Sequence, residues 1–444
     1  MHALAGHVPS HLAVFLLLLM AASVHPGASA AETTPLAAGV ARVELTPPPA
    51  MKAALGGYGA RMSRPAPGVH DAVWAKAVVL QTGGRRFAVV TADVLAFPPQ
   101  FKAAVMDRLA ADGWQADAVM LLPSHSHTSL DMMALHPGNV FGIPQVGLFQ
   151  KELLEFTADR LAQVIRDAAR QPVPIRTGAG GKDLPDRNRN RRGTGTHDPG
   201  LTVIRLDRFD GQPLAVLVNW TAHPTFMDEQ DMLFSGDWPG HLQRTLEALI
   251  GSPVTVLFYN GAEGDQSPVP PGERLSHYEN AERYGRELAI EAWRVWQSIT
   301  SRPEVACVWT HGAIALPARV AHPDFMKTGG AEYGLQPSTM DQFLKQLVPD
   351  RTASTCLRLG DAVIVGVPGE MAAELGLELK RRVREATGAR WVSIGGLADE
   401  WVSYLLPAAA YRDGGYEGSM SFYGEQAGPT VVDGVARIAA QLPR

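Results

Sequence analysis

The chain of 444 residues is long enough to bury a large hydrophobic core, and its 46% hydrophobic and 19% charged residues are ordinary for a globular protein of the size of an enzyme. Its 45 acidic and 40 basic residues give a formal net charge of −5 with no basic run, which argues against a nucleic-acid partner. Two cysteines, Cys307 and Cys356, are too few for a disulfide scaffold; they either pair or remain as buried free thiols.

The first thirty residues predict an export signal. An apolar run over residues 12–22 is too short to span a bilayer, and the small-residue cleavage pattern Ala28-Ser29-Ala30 follows it. The segment before the run has no Lys or Arg, which departs from the usual signal peptide. We therefore predict a signal peptide over residues 1–30, a catalytic domain over residues 31–444, and a secreted or periplasmic location.

The predicted elements alternate between strands and helices along the mature chain. Buried or alternating apolar runs predict strands over residues 38–45, 72–81, 86–91, 118–122, 201–207, 214–219, 254–258, 305–309, 356–359, 362–367 and 391–394. Apolar residues three or four apart predict helices over residues 101–111, 148–171, 240–250, 277–298 and 371–386. This interleaving predicts an α/β fold with mixed sheets and a single catalytic domain. Residues 317–350 fit neither pattern, and such an insert is often a lid or a binding loop.

Chemically active side chains follow several of the predicted strands. In open sheets with interleaved helices, ligand sites lie beyond the carboxyl ends of the strands. If the chain stays extended after residue 122, His125 and His127 project to the same side. The side chains at these strand ends are Asp93, His125 with His127, His223, the loop with Glu263, Asp265 and Ser267, and Glu370.

Two histidines and a glutamate from separate strands form the ligand set of a catalytic zinc. Each residue also has a simpler structural interpretation. His223 before a proline is typical of an ordinary loop histidine, and Glu370 suits the start of a helix. Their joint occurrence favours the metal hypothesis.

Five short phrases occur in a fixed order along the chain: Ser124-His125-Ser126-His127, Asn219-Trp220-Thr221-Ala222-His223-Pro224, Asn260-Gly261-Ala262-Glu263-Gly264-Asp265-Gln266-Ser267-Pro268, Pro368-Gly369-Glu370 and Tyr416-Glu417-Gly418. Together with the opening at residues 39–47, they resemble the N-terminal catalytic domain of the neutral (non-lysosomal) ceramidase family. The resemblance covers residues from about 37 to about 430. It implies a secreted zinc amidase that cleaves the N-acyl bond of ceramide to a sphingoid base and a fatty acid.

The resemblance also implies which residues bind the zinc ion. Carried over by motif, the ligands are His125, His223, Glu370 and Tyr404. Tyrosine is an uncommon zinc ligand, so Tyr404 depends on the resemblance alone. It precedes Tyr416 by 12 residues, which is the family's spacing between its two site tyrosines.

Four further residues receive catalytic roles from the same resemblance. His127 would carry a proton to the leaving amine. Tyr416 and an arginine of the loop at residues 186–192 would stabilise the developing oxyanion. Arg191 fits the family's Asn-Arg pair best, followed by Arg189. Ser267 occupies the family's functional serine position, either as a nucleophile or as a group that positions the substrate.

The chain departs from the family around the expected substrate. Thr128-Ser129-Leu130-Asp131 stands where the family has a glycine-rich loop, and Gln266 and Val269 replace an apolar residue and an asparagine. Up to Arg444 we expect no counterpart of the family's C-terminal β-sandwich domain. These departures make the hydrolase class a safer prediction than the substrate ceramide.

Three alternatives therefore stay open beside the ceramidase hypothesis. The first is a zinc hydrolase of the same scaffold for another amide or ester, and the second is a binding protein without turnover. The third, a metal-independent serine hydrolase, lacks a Gly-x-Ser-x-Gly turn around Ser267. The expected partner is a small-molecule N-acyl lipid. Peripheral contact with membrane lipid is compatible with such a substrate, and no protein partner is predicted.

Overall fold

The computed structural model describes residues 36–444 except Ser252, Glu273 and Glu304. The predicted signal peptide, residues 1–30, lies outside the described residues. The strands are β1 Ala37–Glu44, β2 Gly68–Val69, β3 Trp74–Thr82, β4 Arg85–Ala92, β5 Val119–Pro123, β6 Val173–Asp183, β7 Asn188–Asn190, β8 Gly200–Arg208, β9 Pro213–Trp220, β10 Leu233–Phe234, β11 Thr255–Asn260, β12 Gln266–Pro268, β13 Cys307–Ala315, β14 Arg351–Leu359, β15 Ala362–Gly366, β16 Glu370–Met371, β17 Trp391–Gly395 and β18 Tyr404–Leu405. The helices are α1 Phe101–Leu109, α2 Lys151–Ala169, α3 Asp237–Ile250, α4 His277–Ser298, α5 Gly329–Glu332, α6 Met340–Leu347, α7 Ala373–Thr387, α8 Ala408–Arg412, α9 Gly415–Ser419 and α10 Ala427–Ala439.

Local sequence chemistry explains several of these boundaries. Helix α4 starts with a capping box, in which the Ser276 side chain accepts from the Glu279 backbone and the Glu279 side chain accepts from the Ser276 backbone. The turn between β3 and β4 needs positive φ at both central residues, and Gly83 and Gly84 adopt 53° and 74°. Short-range patterns of this kind allow the predicted helix at residues 277–298 and the predicted hairpin to match the structure.

Two larger sheets supply three layers of strands around one central core. The eight-stranded sheet has the order β11-β9-β8-β6-β1-β3-β4-β5, and the four-stranded sheet has the order β13-β14-β15-β17. The halves of the larger sheet join only at β1 and β6, where two residue pairs are in register. Apolar side chains from both halves and from the smaller sheet form one buried cluster, which includes Phe87, Leu217, Leu257 and Ile364.

Helices cover the outer faces of these strand layers. Helices α1 and α2 pack on the half that contains β3 and β4, and α3 and α4 pack on the half that contains β9 and β11. Helices α7 and α10 pack on the four-stranded sheet. The predicted α/β class, with mixed sheets and interleaved helices, is thereby confirmed.

Three strand–helix–strand crossovers bring the strand ends together. They are β4-α1-β5, β9-α3-β11 and β15-α7-β17, and the two strands of each are parallel neighbours. The side chain of Asn260 at the end of β11 donates to the carbonyl oxygens of Ser124 at 3.1 Å and Ala222 at 2.8 Å. The Gly396 amide after β17 donates to the Asn260 carbonyl at 3.0 Å. The carboxyl ends of all three crossovers therefore meet at one place, as expected for a ligand site.

Two other features left open by the sequence are settled by the fold. Cys307 and Cys356 are buried free thiols, because β13 and β14 place Cys307 opposite Leu359 and Cys356 opposite Thr310. Residues 317–350 are less irregular than expected and contain the short helices α5 and α6. In the described part of the chain, no helix combines the length and the apolar character needed to cross a bilayer.

Candidate metal centre

The loop after β5 places two histidines at the junction of the crossovers. His125 has φ 71°, so the extended backbone expected at this point is not observed, and a tight left-handed turn orients the side chain instead. The His125 Nδ1 donates to the Leu95 carbonyl at 2.7 Å, which leaves Nε2 free to face the centre. His127 Nε2 lies 3.4 Å from His125 Nε2. The two imidazoles converge, although for a different backbone reason from the predicted one.

His223 and Glu370 approach from the other two crossovers. His223 Nδ1 donates to the Glu263 carbonyl at 2.7 Å, and its Nε2 lies 3.1 Å from Glu370 Oε2. The same carboxylate oxygen is 3.4 Å from His125 Nε2, while Glu370 Oε1 accepts from the Trp401 indole at 2.8 Å. Each of these three side chains is thus held by a second partner and presents one atom to a common point, which is the usual construction of a metal site.

Burial and neighbouring charges set the protonation of this group. Burial lowers the pKa of His223 to about 4, and burial together with the adjacent imidazoles lowers the pKa of His127 well below its ordinary value. Burial opposes ionisation of Glu370, but the neighbouring imidazoles outweigh it and hold its pKa well below the ordinary value. Near pH 7 the centre therefore contains an ionised Glu370 carboxylate and the neutral imidazoles of His127 and His223, and carboxylates and neutral imidazoles are the forms that bind metals.

Burial also lowers the pKa of His125, but Glu370 reverses this effect and raises the pKa overall. In the metal-free protein, His125 and Glu370 therefore form a buried ion pair when His125 is protonated. A cation bound between them would compete with that proton.

A second polar group lies beside the centre and includes Tyr404. Strand β16 pairs in parallel with β18, and this register places Tyr404 directly beside Glu370. Arg191 Nη2 donates to the Tyr404 hydroxyl at 3.1 Å and to the Gly264 carbonyl at 2.9 Å. The Glu417 carboxylate accepts from Arg191 Nε at 2.6 Å and from Arg192 Nη1 at 2.8 Å. Arg191 is therefore the arginine of its loop that contacts a predicted ligand.

The cavity beside these residues has a volume of about 110 Å³, and its lining combines polar and apolar side chains. The polar side chains include His125, His127, Glu370, Tyr404 and Tyr416. The apolar and aromatic side chains include Leu55, Leu95, Met132, Val146, Phe343 and Trp401. The Tyr416 hydroxyl lies 3.4 Å from the hydroxyl of Tyr333, and burial raises the pKa of Tyr416 above its ordinary value. The site can therefore present neutral hydroxyl donors to a bound molecule that is mainly apolar.

Of the predicted site residues, Arg191, His223 and Ser267 do not line this cavity, and Arg191 and His223 instead contact the lining residues Tyr404 and Glu370. Ser267 lies apart from this group. It is half-buried in β12, where it pairs with Arg189 of β7, and Arg189 itself is exposed. Its role as a nucleophile or a positioning group stays a prediction. The seven other predicted site residues either line the cavity or contact a residue that lines it.

Glu263, for which the sequence predicts no role of its own, lies beside His125 and Glu370 in the centre. Its side chain is fully buried, and neither carboxylate oxygen has a hydrogen-bond partner among the described residues. Its carboxylate, that of Glu370 and an imidazole nitrogen of His125 all lie within 4.8 Å of one another. Burial raises the pKa of Glu263 to about 8 against the opposing effect of His125, and the nearby carboxylate of Glu370 adds a smaller increase. The only signal in the sequence was a carboxylate in a loop after a buried strand.

These observations test whether a divalent cation fits the site. His125, His223 and Glu370 supply two imidazole nitrogens and one carboxylate oxygen from rigid positions, with the hydroxyl of Tyr404 beside them. The orphaned oxygens of Glu263 and the unpaired Nδ1 of His127 are further donor atoms for which the described residues offer no partner. The donor set fits a first-row divalent cation and does not by itself identify the metal.

Comparisons with known proteins agree on one family. Residues 36–274 match the family described as neutral/alkaline non-lysosomal ceramidase, N-terminal. The chain is 23% identical to the neutral ceramidase of Pseudomonas aeruginosa over 89% of this chain and 70% of that protein. It is 20% identical to the neutral ceramidase of Mycobacterium tuberculosis over 87% of this chain and 74% of that protein.

A solved structure shows that the fold is shared. The neutral ceramidase of P. aeruginosa superposes with a TM-score of 0.78 at 20% identity, over 93% of this chain and 75% of that chain. The family match covers more than half of the chain, so the resemblance predicted from the motifs is confirmed. The protein belongs to the neutral/alkaline non-lysosomal ceramidase family and is a hydrolase of linear amide bonds.

Proposed function

We propose that this protein is a zinc-dependent hydrolase that cleaves the N-acyl amide bond of ceramide or a ceramide-like lipid. The products would be a sphingoid base and a fatty acid. The observation that carries the proposal is the convergence of His125, His223 and Glu370 beside a cavity that His125 and Glu370 line together with several apolar side chains. Such a cavity can bind an amide at its polar groups while its apolar side chains pack against hydrocarbon.

In this proposal, His125, His223, Glu370 and Tyr404 hold the zinc ion. Bound zinc supplies Lewis acidity towards the amide carbonyl and lowers the pKa of water. Burial and the neighbouring Glu370 raise the pKa of Tyr404 well above its ordinary value, and Arg191, which donates to its hydroxyl at 3.1 Å, acts in the opposite direction. A bound cation would further favour the deprotonated form. Glu417 in turn accepts from Arg191, which fixes the guanidinium in this position.

His127 is the proposed proton carrier. Its pKa is lowered by burial and then by the neighbouring histidines, so the imidazole is neutral and can accept a proton from the attacking water. The same imidazole then donates that proton to the leaving amine. Tyr416, whose buried hydroxyl stays protonated, donates a hydrogen bond to the oxyanion that develops on the carbonyl oxygen.

One observation favours a second candidate substrate class on the same scaffold. Asp131, from the loop that departs from the family, lines the cavity, and burial raises its pKa to about 7. A carboxyl group among these lining residues would bind a hydroxyl or amino group of a substrate. This feature keeps another N-acyl amide, or an ester with such a group, as the alternative to ceramide.

The test is hydrolysis of a fluorescent N-acyl sphingosine by residues 31–444, with chelator and again after zinc is restored. We expect cleavage that the chelator removes and zinc restores. Cleavage that is unaffected by chelator in protein shown to be metal-free would overturn zinc dependence. A zinc-loaded protein that cleaves another acyl amide or an ester, but not N-acyl sphingosine, would favour the second candidate.

We also propose export to a secreted or periplasmic location. The support is the short apolar run at residues 12–22 followed by Ala28-Ser29-Ala30. Intact-mass measurement of the mature protein tests this proposal. We expect a mass that begins at Ala31, and a cell-associated protein that retains residues 1–30 would contradict it.

A further inference from the structure

The loop that carries Glu263 is locked against the centre by backbone hydrogen bonds. The Glu263 carbonyl accepts from His223 Nδ1 at 2.7 Å and from the Gln266 amide at 2.8 Å. The next residue, Gly264, donates its amide to the Met371 carbonyl at 2.9 Å, directly beside Glu370. These hydrogen bonds hold the backbone of Glu263 and of the residue after it, and the Glu263 side chain is fully buried.

The carboxyl group of Glu263 is unusual because no atom in the described part of the chain hydrogen-bonds it. Both oxygens lie fully buried without a partner. Gly396 closes the space behind them, since a side chain at that position would collide with Oε2. A buried carboxyl group without hydrogen-bond partners is unfavourable whether it is protonated or ionised, and a bound cation would supply the partner that the described residues do not.

The neighbouring carboxylate in the same loop shows what a satisfied group looks like. Asp265 Oδ2 accepts from Asn190 Nδ2 at 2.8 Å, and Oδ1 accepts from Gln266 Nε2 at 2.7 Å and from the Ala373 amide at 2.9 Å. Asp265 therefore has a structural role that its contacts explain. Glu263 has no such contacts and faces His125 and Glu370 instead.

We infer that Glu263 is a further ligand of the cation held by His125, His223 and Glu370. The inference rests on the proposed metal site, and it adds a second carboxylate to the ligands implied by the family resemblance. A cation at this point would satisfy the orphaned oxygens and cancel the repulsion between the carboxylates of Glu263 and Glu370. Glu263 thus anchors the metal through the same loop whose backbone orients His223.

The test compares zinc affinity in the wild-type chain and in Glu263→Gln, measured by competition with a chromophoric chelator. We expect the variant to bind zinc at least about tenfold more weakly, as is typical when a group that supports a metal is removed. Asp265→Asn is the matched control, because it removes a carboxylate two residues away whose hydrogen bonds lie within the protein. Its zinc affinity should stay close to that of the wild type.

The outcomes separate the two proposals. A wild-type chain that binds no zinc would overturn the proposed function and this inference together. Wild-type and Glu263→Gln proteins that bind zinc equally well would overturn this inference alone. The visible absorption spectrum of the Co²⁺-loaded proteins gives an independent readout, because loss of a ligand oxygen changes the ligand field of the metal. Identical spectra for the wild-type and Glu263→Gln proteins would also contradict the inference.

Thermal unfolding distinguishes a ligand from a structural residue. In the metal-free state, Glu263→Gln should unfold at or above the wild-type midpoint, because the substitution removes an unpaired buried carboxyl. Its increase in midpoint on adding zinc should be smaller than that of the wild type. If Glu263→Gln fails to fold, Glu263→Asp serves instead, since its carboxylate is withdrawn by one methylene and should show the same loss of affinity. A lower metal-free midpoint with an unchanged zinc increment would overturn the inference.

Discussion

The candidate metal centre and the insert at residues 317–350 face the same cavity but are built differently. In the centre, the side chains of His125, His223 and Glu370 are each held by a second hydrogen bond from the strand ends or from Trp401. The insert contributes the rings of Tyr333 and Phe343 to the cavity, and the polar contact it makes to the site is between the hydroxyls of Tyr333 and Tyr416. The sheets therefore position the chemistry, while a separate segment shapes the space for the substrate.

This difference leads to an ordered set of expectations. Substitutions in the centre should remove activity on every substrate, whereas substitutions in the insert should change binding and leave the metal in place. Substitutions of residues that position the ligands of the centre through other side chains should have effects on activity of intermediate size.

The largest effect is expected for His125→Ala and Glu370→Ala. Each removes a proposed ligand, so zinc content and hydrolysis should both fall, the latter by roughly a thousandfold, because metal catalysis contributes several kcal/mol. Metal analysis and an N-acyl sphingosine assay check this prediction. His311→Ala is the control, since His311 lies in β13 and hydrogen-bonds Thr355 away from the cavity. A metal-free His125→Ala protein with full activity would contradict the proposed function.

A smaller but clear loss is expected for Glu417→Gln, which weakens the hold on Arg191. The catalytic constant should fall by about a hundredfold with little change in KM, because Arg191 would no longer be held against the proposed ligand Tyr404. Arg192→Met is the matched variant: it breaks the other ion pair of Glu417 and leaves the one with Arg191. Steady-state kinetics on both variants should show the larger loss for Glu417→Gln. Equal losses in both would mean that Glu417 has only a structural role.

In the insert, Phe343→Ala should weaken substrate binding without affecting the metal. Truncating an apolar wall residue should raise KM about tenfold with kcat unchanged, which is the signature of lost uniform binding. Zinc affinity should equal that of the wild type. Phe209→Ala, at a ring that is 59% exposed outside the cavity, is the control. A large loss of zinc from Phe343→Ala would show that the insert and the centre are not independent.

The smallest effect is expected for Ser267→Ala. Ser267 does not line the cavity, so the rate should change by less than about threefold, as for a substitution away from the reacting groups. The same hydrolysis assay measures it. A loss near a thousandfold would instead identify Ser267 as the nucleophile and would require this loop to move during catalysis.

The candidate site was largely predictable because its residues follow buried strands and match ordered motifs. His125, His127, His223, Glu370, Tyr404, Tyr416 and Arg191 were named from the sequence and meet in the structure. The convergence of the two histidines after β5 was expected from an extended chain, and that reason was wrong, since His125 adopts a left-handed φ of 71°. Glu263 received no role because its missing partners become visible only when the surrounding chain is folded around it.

By itself, the sequence determined the local elements of this protein. Helix α4 and the β3–β4 hairpin follow from a capping box and a glycine pair, which act between residues close along the chain. The tertiary structure alone decided how three separate crossovers share one centre. Glu370 and His125 meet across 245 positions of the chain, and no periodic pattern encodes such a distance. Helix α6 was missed for a related reason: its eight residues are too few for a reliable helical period, and packing against the core stabilises it.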